Sequence, residues 1–114
     1  RFLPGPYTFV LDASSIVPDL LTTKQKTVGI RIPANRICLA IVTELGHPIV
    51  TTSANLSGEE PIGDPFHIDD ELGKQVDIVI DGGVLSPDVS SVISLIGDFP
   101  AVLRKGVGDV SWCI

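Results

Sequence analysis

The sequence predicts an α+β fold with α/β-like layers, a twisted mixed β-sheet flanked by a small number of helices. Three observations predict it. Strand-like and helix-like patterns alternate between residues 27 and 52, the order of a β-α-β unit. Only two further stretches carry helical signals, and both are short. Near the end of the chain, two strand-like runs are separated by just Gly97-Asp98-Phe99-Pro100, a link that favours antiparallel pairing.

Taken in order, Pro4-Gly5-Pro6 makes a rigid turn, and Tyr7 to Leu11 follows as a strand rich in aromatic and branched residues. Val17-Pro18-Asp19-Leu20-Leu21 reads as a single helical turn with proline at its first position. A polar, basic loop from Thr22 to Lys26 leads into the strand Thr27-Val28-Gly29-Ile30-Arg31-Ile32, which Pro33 ends. Asn35 is suited to cap a helix over 36–45, because Ile37, Ile41, Val42 and Leu45 then share one face and Gly46 supplies the stop. Pro48 to Thr52 is the next expected strand, so residues 27–52 form a β-α-β unit with parallel strands.

Past Ser57 and Gly58 the chain is a loop, after which Asp64 can cap a helix that starts at Pro65 and ends near Leu72. Val76-Asp77-Ile78-Val79-Ile80 has the continuous apolar character of a buried strand and turns out through Asp81-Gly82-Gly83. Ser91 to Ile96 and Ala101 to Arg104 complete the sheet. No internal repeat, low-complexity tract or long linker interrupts the chain, and 114 residues suit one domain at most.

Composition narrows the function. A formal net charge of −6 makes the chain by itself a poor electrostatic partner for nucleic acid or an anionic membrane. Cys38 and Cys113 are too few for a disulfide framework, so reduced thiols and a cytoplasmic setting are expected. His47 and His67 each lack a second ligand at helical or hairpin spacing, which argues against a protein-ligated metal. No apolar run is long enough to span a bilayer. The chain opens with Arg1 and Phe2 and contains no methionine, so it is expected to be a piece of a longer protein.

The most informative stretch is Pro48-Ile49-Val50-Thr51-Thr52-Ser53-Ala54-Asn55-Leu56-Ser57-Gly58, where an apolar run empties into small and polar residues. Thr51, Thr52, Ser53 and Asn55 offer hydroxyls and a carboxamide that donate and accept without charge, in a loop expected at the carboxyl end of a strand, where open α/β sheets bind ligands. A turn with surplus serines is the simpler alternative. Walker, dinucleotide and kinase motifs are missing. Ser53 lacks the glycines of a nucleophile elbow. Arg31, on an otherwise apolar strand, is either a rim residue or a fork for a carboxylate or phosphate. Arg104 poses the same question, with a solvated strand end beside Lys105 as the simpler reading. Ser90 and Ser91 follow Pro87-Asp88 as part of a turn, and Asp69, Asp70 and Glu71 form the polar face of a helix.

Read together, Pro4-Gly5-Pro6-Tyr7-Thr8, Val28-Gly29-Ile30-Arg31-Ile32-Pro33, Thr51 to Gly58, Val76 to Gly83, Ser90-Ser91-Val92-Ile93 and Val102-Leu103-Arg104-Lys105-Gly106 resemble the YrdC-type domain of the threonylcarbamoyl-AMP synthase family. The resemblance covers nearly the whole of residues 1–114 as a C-terminal portion of that domain, and implies a YrdC-like fold incomplete on its N-terminal side. It implies synthesis of threonylcarbamoyl-AMP from L-threonine, bicarbonate and ATP, with Mg²⁺ accompanying the nucleotide, for tRNA threonylcarbamoyladenosine modification. It also implies tRNA, double-stranded RNA and tRNA-modification proteins as candidate partners.

Carried over by position, Arg31 would hold the threonine carboxylate and Ser90 would touch threonine. Thr27 and Thr51 would line the nucleotide site, Ser53 and Asn55 would contact phosphate as the catalytic pair, Pro61 would pack at the nucleotide, and Arg104 would reach ATP. Two departures stand out. Ser94 occupies the place where the family often has aspartate, and the lysine and arginine of the family's earlier part have no counterpart, so the fragment alone is expected to turn over poorly. A non-catalytic RNA-binding module, or a carbamoyl-transfer domain of a larger maturation protein, are the alternatives the resemblance leaves open.

Overall fold

The computed structural model describes residues 1–113, and the chain divides into two compact units, one built from 1–39 and 89–114 and the other from 40–88. The first unit holds the sheet. Its strands are β1 (Tyr7–Asp12), β2 (Thr27–Arg31), β3 (Ser91–Ser94) and β4 (Ala101–Arg104), in the order β2-β1-β3-β4. β1 pairs antiparallel with β2 and parallel with β3, and β3 pairs antiparallel with β4. The sheet is therefore mixed, with its two longest strands adjacent.

Alternation along β1 explains the layering. Tyr7, Phe9 and Leu11 point to one face and Thr8, Val10 and Asp12 to the other. Tyr7, Ile93 and Val110 form the fully buried cluster on the first face, and Phe2, Leu3, Phe9, Val102 and Cys113 pack around it. Phe2 stacks on Trp112 at 4.5 Å and tilts against Tyr7 at 5.3 Å between ring centroids, separations at which aromatic pairs attract. The Tyr7 hydroxyl donates to the Asp109 carbonyl at 3.0 Å, so the one polar atom of this ring is satisfied inside the cluster.

Ser91 is the polar counterpart of that cluster. It has no exposed surface, and its hydroxyl donates to the Gly108 carbonyl at 2.6 Å while accepting from the Gly106 N–H at 2.9 Å. Both glycines are required there. A Cβ at Gly108 would stand 2.6 Å from the Tyr7 ring, and one at Gly106 would overlap the Val89 carbonyl oxygen.

The two helices are α1 (Arg36–Leu45), within which the boundary between the units falls, and α2 (Pro65–Leu72) in the second unit. Both start as their sequences demand. The Asn35 carboxamide oxygen accepts from the N–H groups of Ile37 and Cys38, and the Asp64 carboxylate accepts from Phe66, satisfying donors that a helix leaves free at its N-terminus. Gly46, at φ +76°, takes the left-handed conformation that ends α1. Pro18 precedes its short 3₁₀ turn, Asp19–Leu21, rather than opening it.

Two expected strands are absent from the sheet. Residues 48–52 and 76–80 form no strand and enter no ladder among the described residues, with bends at Val76 and Asp77, so the β-α-β unit over 27–52 does not form. The physical reason is that apolarity marks side chains suited to burial without specifying a neighbouring backbone. Val50, Ile78 and Ile80 accordingly remain 71%, 76% and 58% exposed. The parallel pair is instead β1 with β3, joined through residues 13–90. β3 is also shorter than expected, ending at Ser94 rather than Ile96. No helix of the described residues is long and apolar enough to cross a membrane.

Candidate functional site

The face of the sheet opposite the aromatic cluster carries Thr8, Arg31 and Arg104, with Ser90 beside them. Register places Arg31 of β2 opposite Thr8 of β1, Thr8 opposite Val92 of β3, and Val92 opposite Arg104 of β4. One row across all four strands thus runs from one arginine to the other. Arg31 reaches this face by simple alternation, two residues beyond Gly29, whose added Cβ would stand 3.2 Å from Thr8 Cγ2. The missing side chain at Gly29 leaves the surface open beside Thr8.

Arg104 reaches it by a different route. β3 and β4 pair Ile93 with Val102 and then Val92 with Arg104, so Leu103 is an extra residue in the ladder. In strict alternation Val102 and Arg104 would face the same way, toward the core. The bulge at Leu103 turns Arg104 to the side of Thr8, the re-aiming that such irregularities produce. There the guanidinium donates through Nε and Nη2 to the Ser90 carbonyl, at 3.1 and 2.9 Å, and through Nη2 to the Ser90 hydroxyl at 3.2 Å. Nη1 makes no hydrogen bond among the described residues, so two N–H donors of the fork face outward.

Ser90 is 4% exposed and sits at the centre of this cluster. Its hydroxyl lies 2.8 Å from Thr8 Oγ1, with either atom able to donate. Arg31 makes no hydrogen bond or ion pair among the described residues, which leaves its planar fork available for a carboxylate. The face therefore offers two guanidinium groups and two coupled hydroxyls, a set matched to a small anion with further hydrogen-bonding groups.

Thr27 lies on the same strand as Arg31 but about 13 Å away along it, at roughly 3.3 Å per residue. It is buried, and its hydroxyl is 2.8 Å from that of Thr23. The Thr23 N–H also donates to the Thr27 carbonyl at 3.2 Å, so Thr27 closes the turn that enters β2. The geometry joins Ser90 and Arg104 in one hydrogen-bonded cluster with Thr8, sets Arg31 on the same face as the cross-strand neighbour of Thr8, and leaves Thr27 at the far end of its strand.

The remaining predicted residues belong to the second unit. Thr51 and Ser53 are exposed, and their hydroxyls make no hydrogen bond among the described residues. Asn55 is different. Its Nδ2 donates to the Leu56 carbonyl at 2.8 Å, while its buried Oδ1 has no partner among the described residues, an acceptor whose desolvation they leave uncompensated. The loop is held around it: Ile62 N–H donates to the Ala54 carbonyl at 2.8 Å, Glu59 N–H donates to Leu56 at 2.9 Å, and Gly58 adopts φ +82°. Half-buried Pro61 lies just before Ile62. Gly63 fixes the base of the loop, since its carbonyl accepts from Leu85 N–H at 2.8 Å and a Cβ there would overlap the Leu85 carbonyl oxygen.

An open hollow of about 250 Å³ beside α2, lined by Pro65, Phe66, Asp69, Val79 and Asp81, contains none of the predicted residues. Thr8, by contrast, belongs to the cluster although it is not among the predicted site residues; its signals are its place at the end of the Pro4-Gly5-Pro6-Tyr7-Thr8 motif and a hydroxyl between Tyr7 and Phe9, the polar position of an alternating strand.

Comparison with known proteins bears on the family and the fold. The family model Sua5/YciO/YrdC, described as telomere recombination, matches residues 1–106. The "Uncharacterized protein YciO" of Escherichia coli (strain K12) is 48% identical over 109 residues, covering 94% of this chain and 53% of that protein. Its crystal structure superposes with a TM-score of 0.91 at 45% identity, over 97% of this chain and 55% of that one. The crystal structure of Pyrococcus abyssi Sua5 complexed with L-threonine superposes with a TM-score of 0.86 at 36% identity, over 93% of this chain and 32% of that one. The threonylcarbamoyl-AMP synthase of Pyrococcus abyssi is 34% identical over 108 residues, 95% of this chain and 32% of that protein. The chain spans about half the length of the YciO relatives it matches. A family match across almost every described residue, carried on the same mixed sheet, establishes that the chain belongs to the Sua5/YciO/YrdC family.

Proposed function

We propose that the chain is the threonine- and nucleotide-binding portion of an L-threonylcarbamoyladenylate synthase, a nucleotidyltransferase that makes threonylcarbamoyl-AMP for tRNA modification. The observation that carries the reading is the row from Arg31 through Thr8 to Arg104, closed over by Ser90. It is an amino-acid carboxylate site in its chemistry. The L-threonine complex of the 36%-identical Pyrococcus abyssi Sua5 supports threonine as the ligand.

In this reading Arg31 forms the bidentate contact to the threonine carboxylate and Ser90 donates to the same ligand. Bicarbonate and the threonine amine condense with loss of water to a carbamate. A carbamate oxygen then attacks the α-phosphorus of ATP, the bond between that phosphorus and the α–β bridging oxygen breaks, and pyrophosphate leaves with the electron pair. Mg²⁺ arrives as part of the Mg·ATP substrate. In the first unit Arg104, through its free Nη1, is the proposed phosphate contact; in the second unit Ser53 and Asn55 are proposed as phosphate contacts, with Asn55 Oδ1 free to accept a donor from the nucleotide or its water shell. Thr51 and Pro61 are the further nucleotide contacts proposed within the second unit, and Thr27, buried at the far end of its strand, is proposed to act by closing the turn that enters β2. Positioning and charge stabilisation supply the rate, without a covalent enzyme intermediate.

Pyrophosphate release by the whole protein tests the reaction: it is expected to need ATP, L-threonine and bicarbonate together, and release indifferent to threonine overturns the proposal. Binding tests the site in the chain itself. Titration with L-threonine is expected to shift the NMR resonances of Arg31 and Ser90, with D-threonine at the same concentration leaving them in place.

A further inference from the structure

We propose that Arg104 is a positioning residue for L-threonine: its fork holds Ser90 in place before any nucleotide arrives, so the side chain read as a phosphate contact also governs amino-acid affinity. The inference rests on the threonine-site reading and deepens it. The end of the β3–β4 ladder leaves the Ser90 carbonyl to a side chain. Ser91 and Leu95 send their N–H groups to the Pro6 and Val10 carbonyls, at 3.0 and 2.9 Å, on the β1 side of β3. Alternation along the strand then turns the Ser90 carbonyl toward the β4 side. The backbone there is already committed: the Gly106 N–H goes to the Ser91 hydroxyl at 2.9 Å and the Val107 N–H to the Val89 carbonyl at 3.0 Å. A Cβ at Gly106 would stand 2.5 Å from the Ser90 carbonyl oxygen, so this backbone lies against a group that it does not bond. Arg104 supplies the donors instead, Nε at 3.1 Å and Nη2 at 2.9 Å.

The same fork reaches the side chain, since Nη2 also donates to the Ser90 hydroxyl at 3.2 Å. One planar, rigid group therefore fixes both the peptide that follows Ser90 and the direction of its hydroxyl. Ser90 stands immediately before β3, and at 4% exposed it has little freedom beyond its own side-chain torsion. A hydroxyl held in its binding rotamer loses no rotamer freedom when the ligand arrives, and affinity rises by that amount. Nη1 takes no part in the hold, so it stays open to an anion while Nε and Nη2 keep Ser90.

L-threonine binding by the whole protein without nucleotide, read by NMR titration, is the test. Arg104→Met removes the fork and is expected to weaken binding about tenfold, an effect the size of one charge-assisted hydrogen bond. Arg104→Lys keeps the charge but replaces the planar fork by a point donor, and is expected to weaken binding about fivefold. Parent-like affinity in Arg104→Lys assigns the effect to charge and overturns the positioning role. The Ser90 Hα–Hβ couplings carry a signature that a general loss of structure does not: values of one fixed rotamer in the unsubstituted protein and averaged values in both variants, with the Tyr7 and Ile93 resonances unmoved. Should Arg104→Met not fold, the unsubstituted protein still decides. There L-threonine is expected to shift the Arg104 Nε–Hε signal along the same binding curve as Ser90, and a signal that stays in place overturns the role. Equal affinity of Arg104→Met and the unsubstituted protein, or Ser90 couplings unchanged in the variants, overturns the role of Arg104 while leaving the threonine site standing. An unsubstituted protein that does not respond to L-threonine overturns the site reading and the role of Arg104 with it.

Discussion

Ser91 concentrates two obligations in one buried hydroxyl: a carbonyl at Gly108 that needs a donor and an N–H at Gly106 that needs an acceptor. Ser91→Ala strands both, and the expected cost is about 1–3 kcal/mol per unsatisfied group, read as a lowered urea midpoint with an unchanged slope. Asp109 is the neighbouring titratable residue. Hydrogen bonds from the Ser111 N–H and then from its hydroxyl hold the Asp109 carboxyl below its usual range. A carboxyl with a lowered folded-state pKa contributes stability that is present above its ordinary, unfolded value and lost as pH falls through the folded one. Asp109→Asn is therefore expected to flatten the acid limb of the stability–pH curve. Burial acts oppositely on Cys113, raising its thiol pKa. Single residues with local jobs were legible from the chain alone: Asn35, Gly46 and Asp64 each satisfy backbone within a turn of themselves. Ser91 was not, because its partners lie 15 and 17 residues away.

Elements divide along the same line. The helices 36–45 and 65–72 have the bounds their capping signals predict, since a helix makes its hydrogen bonds internally. Strands borrow theirs. The four strands of the sheet find partners, whereas 48–52 and 76–80 enter no ladder among the described residues. Their amides are expected to exchange with solvent orders of magnitude faster than those of Ile93 and Phe9, a contrast hydrogen-exchange mass spectrometry resolves directly. Loss of this β-α-β unit also changes the support of the 51–58 loop, which rests on its own internal bonds and on the Gly63–Leu85 contact. The bulge in β4 lies beyond sequence reading of either kind, because it is a relation between two strands and neither Leu103 nor Arg104 marks it.

At the scale of the molecule, the fully buried apolar cluster is Tyr7, Ile93 and Val110, while Ile16, Leu20, Phe66, Ile78, Val84 and Phe99 each remain more than 70% exposed. That surface exceeds what lone apolar side chains explain. The chain is expected to bind the dye ANS in its native state and to self-associate as its net charge of −6 is titrated toward zero. The same charge sets the expectation for nucleic acid: double-stranded RNA should not be retained at physiological salt, and a salt-dependent retention would reveal a basic surface that the sum conceals. The fold family was legible because its motifs are spread over the chain in order. The geometry of the site was not, because it depends on which strands become neighbours.

The extra residue in β4 makes the aim of Arg104 a matter of counting. A scan that exchanges side chains one at a time never alters the number of residues between Val102 and Arg104, and so never examines what turns the guanidinium outward. A scan of single-residue deletions does. Removing Leu103 makes Arg104 the next residue after Val102, so plain alternation places it opposite Val92 on the side of Thr8, and the guanidinium is expected to keep its face without the bulge, at a changed reach to Ser90.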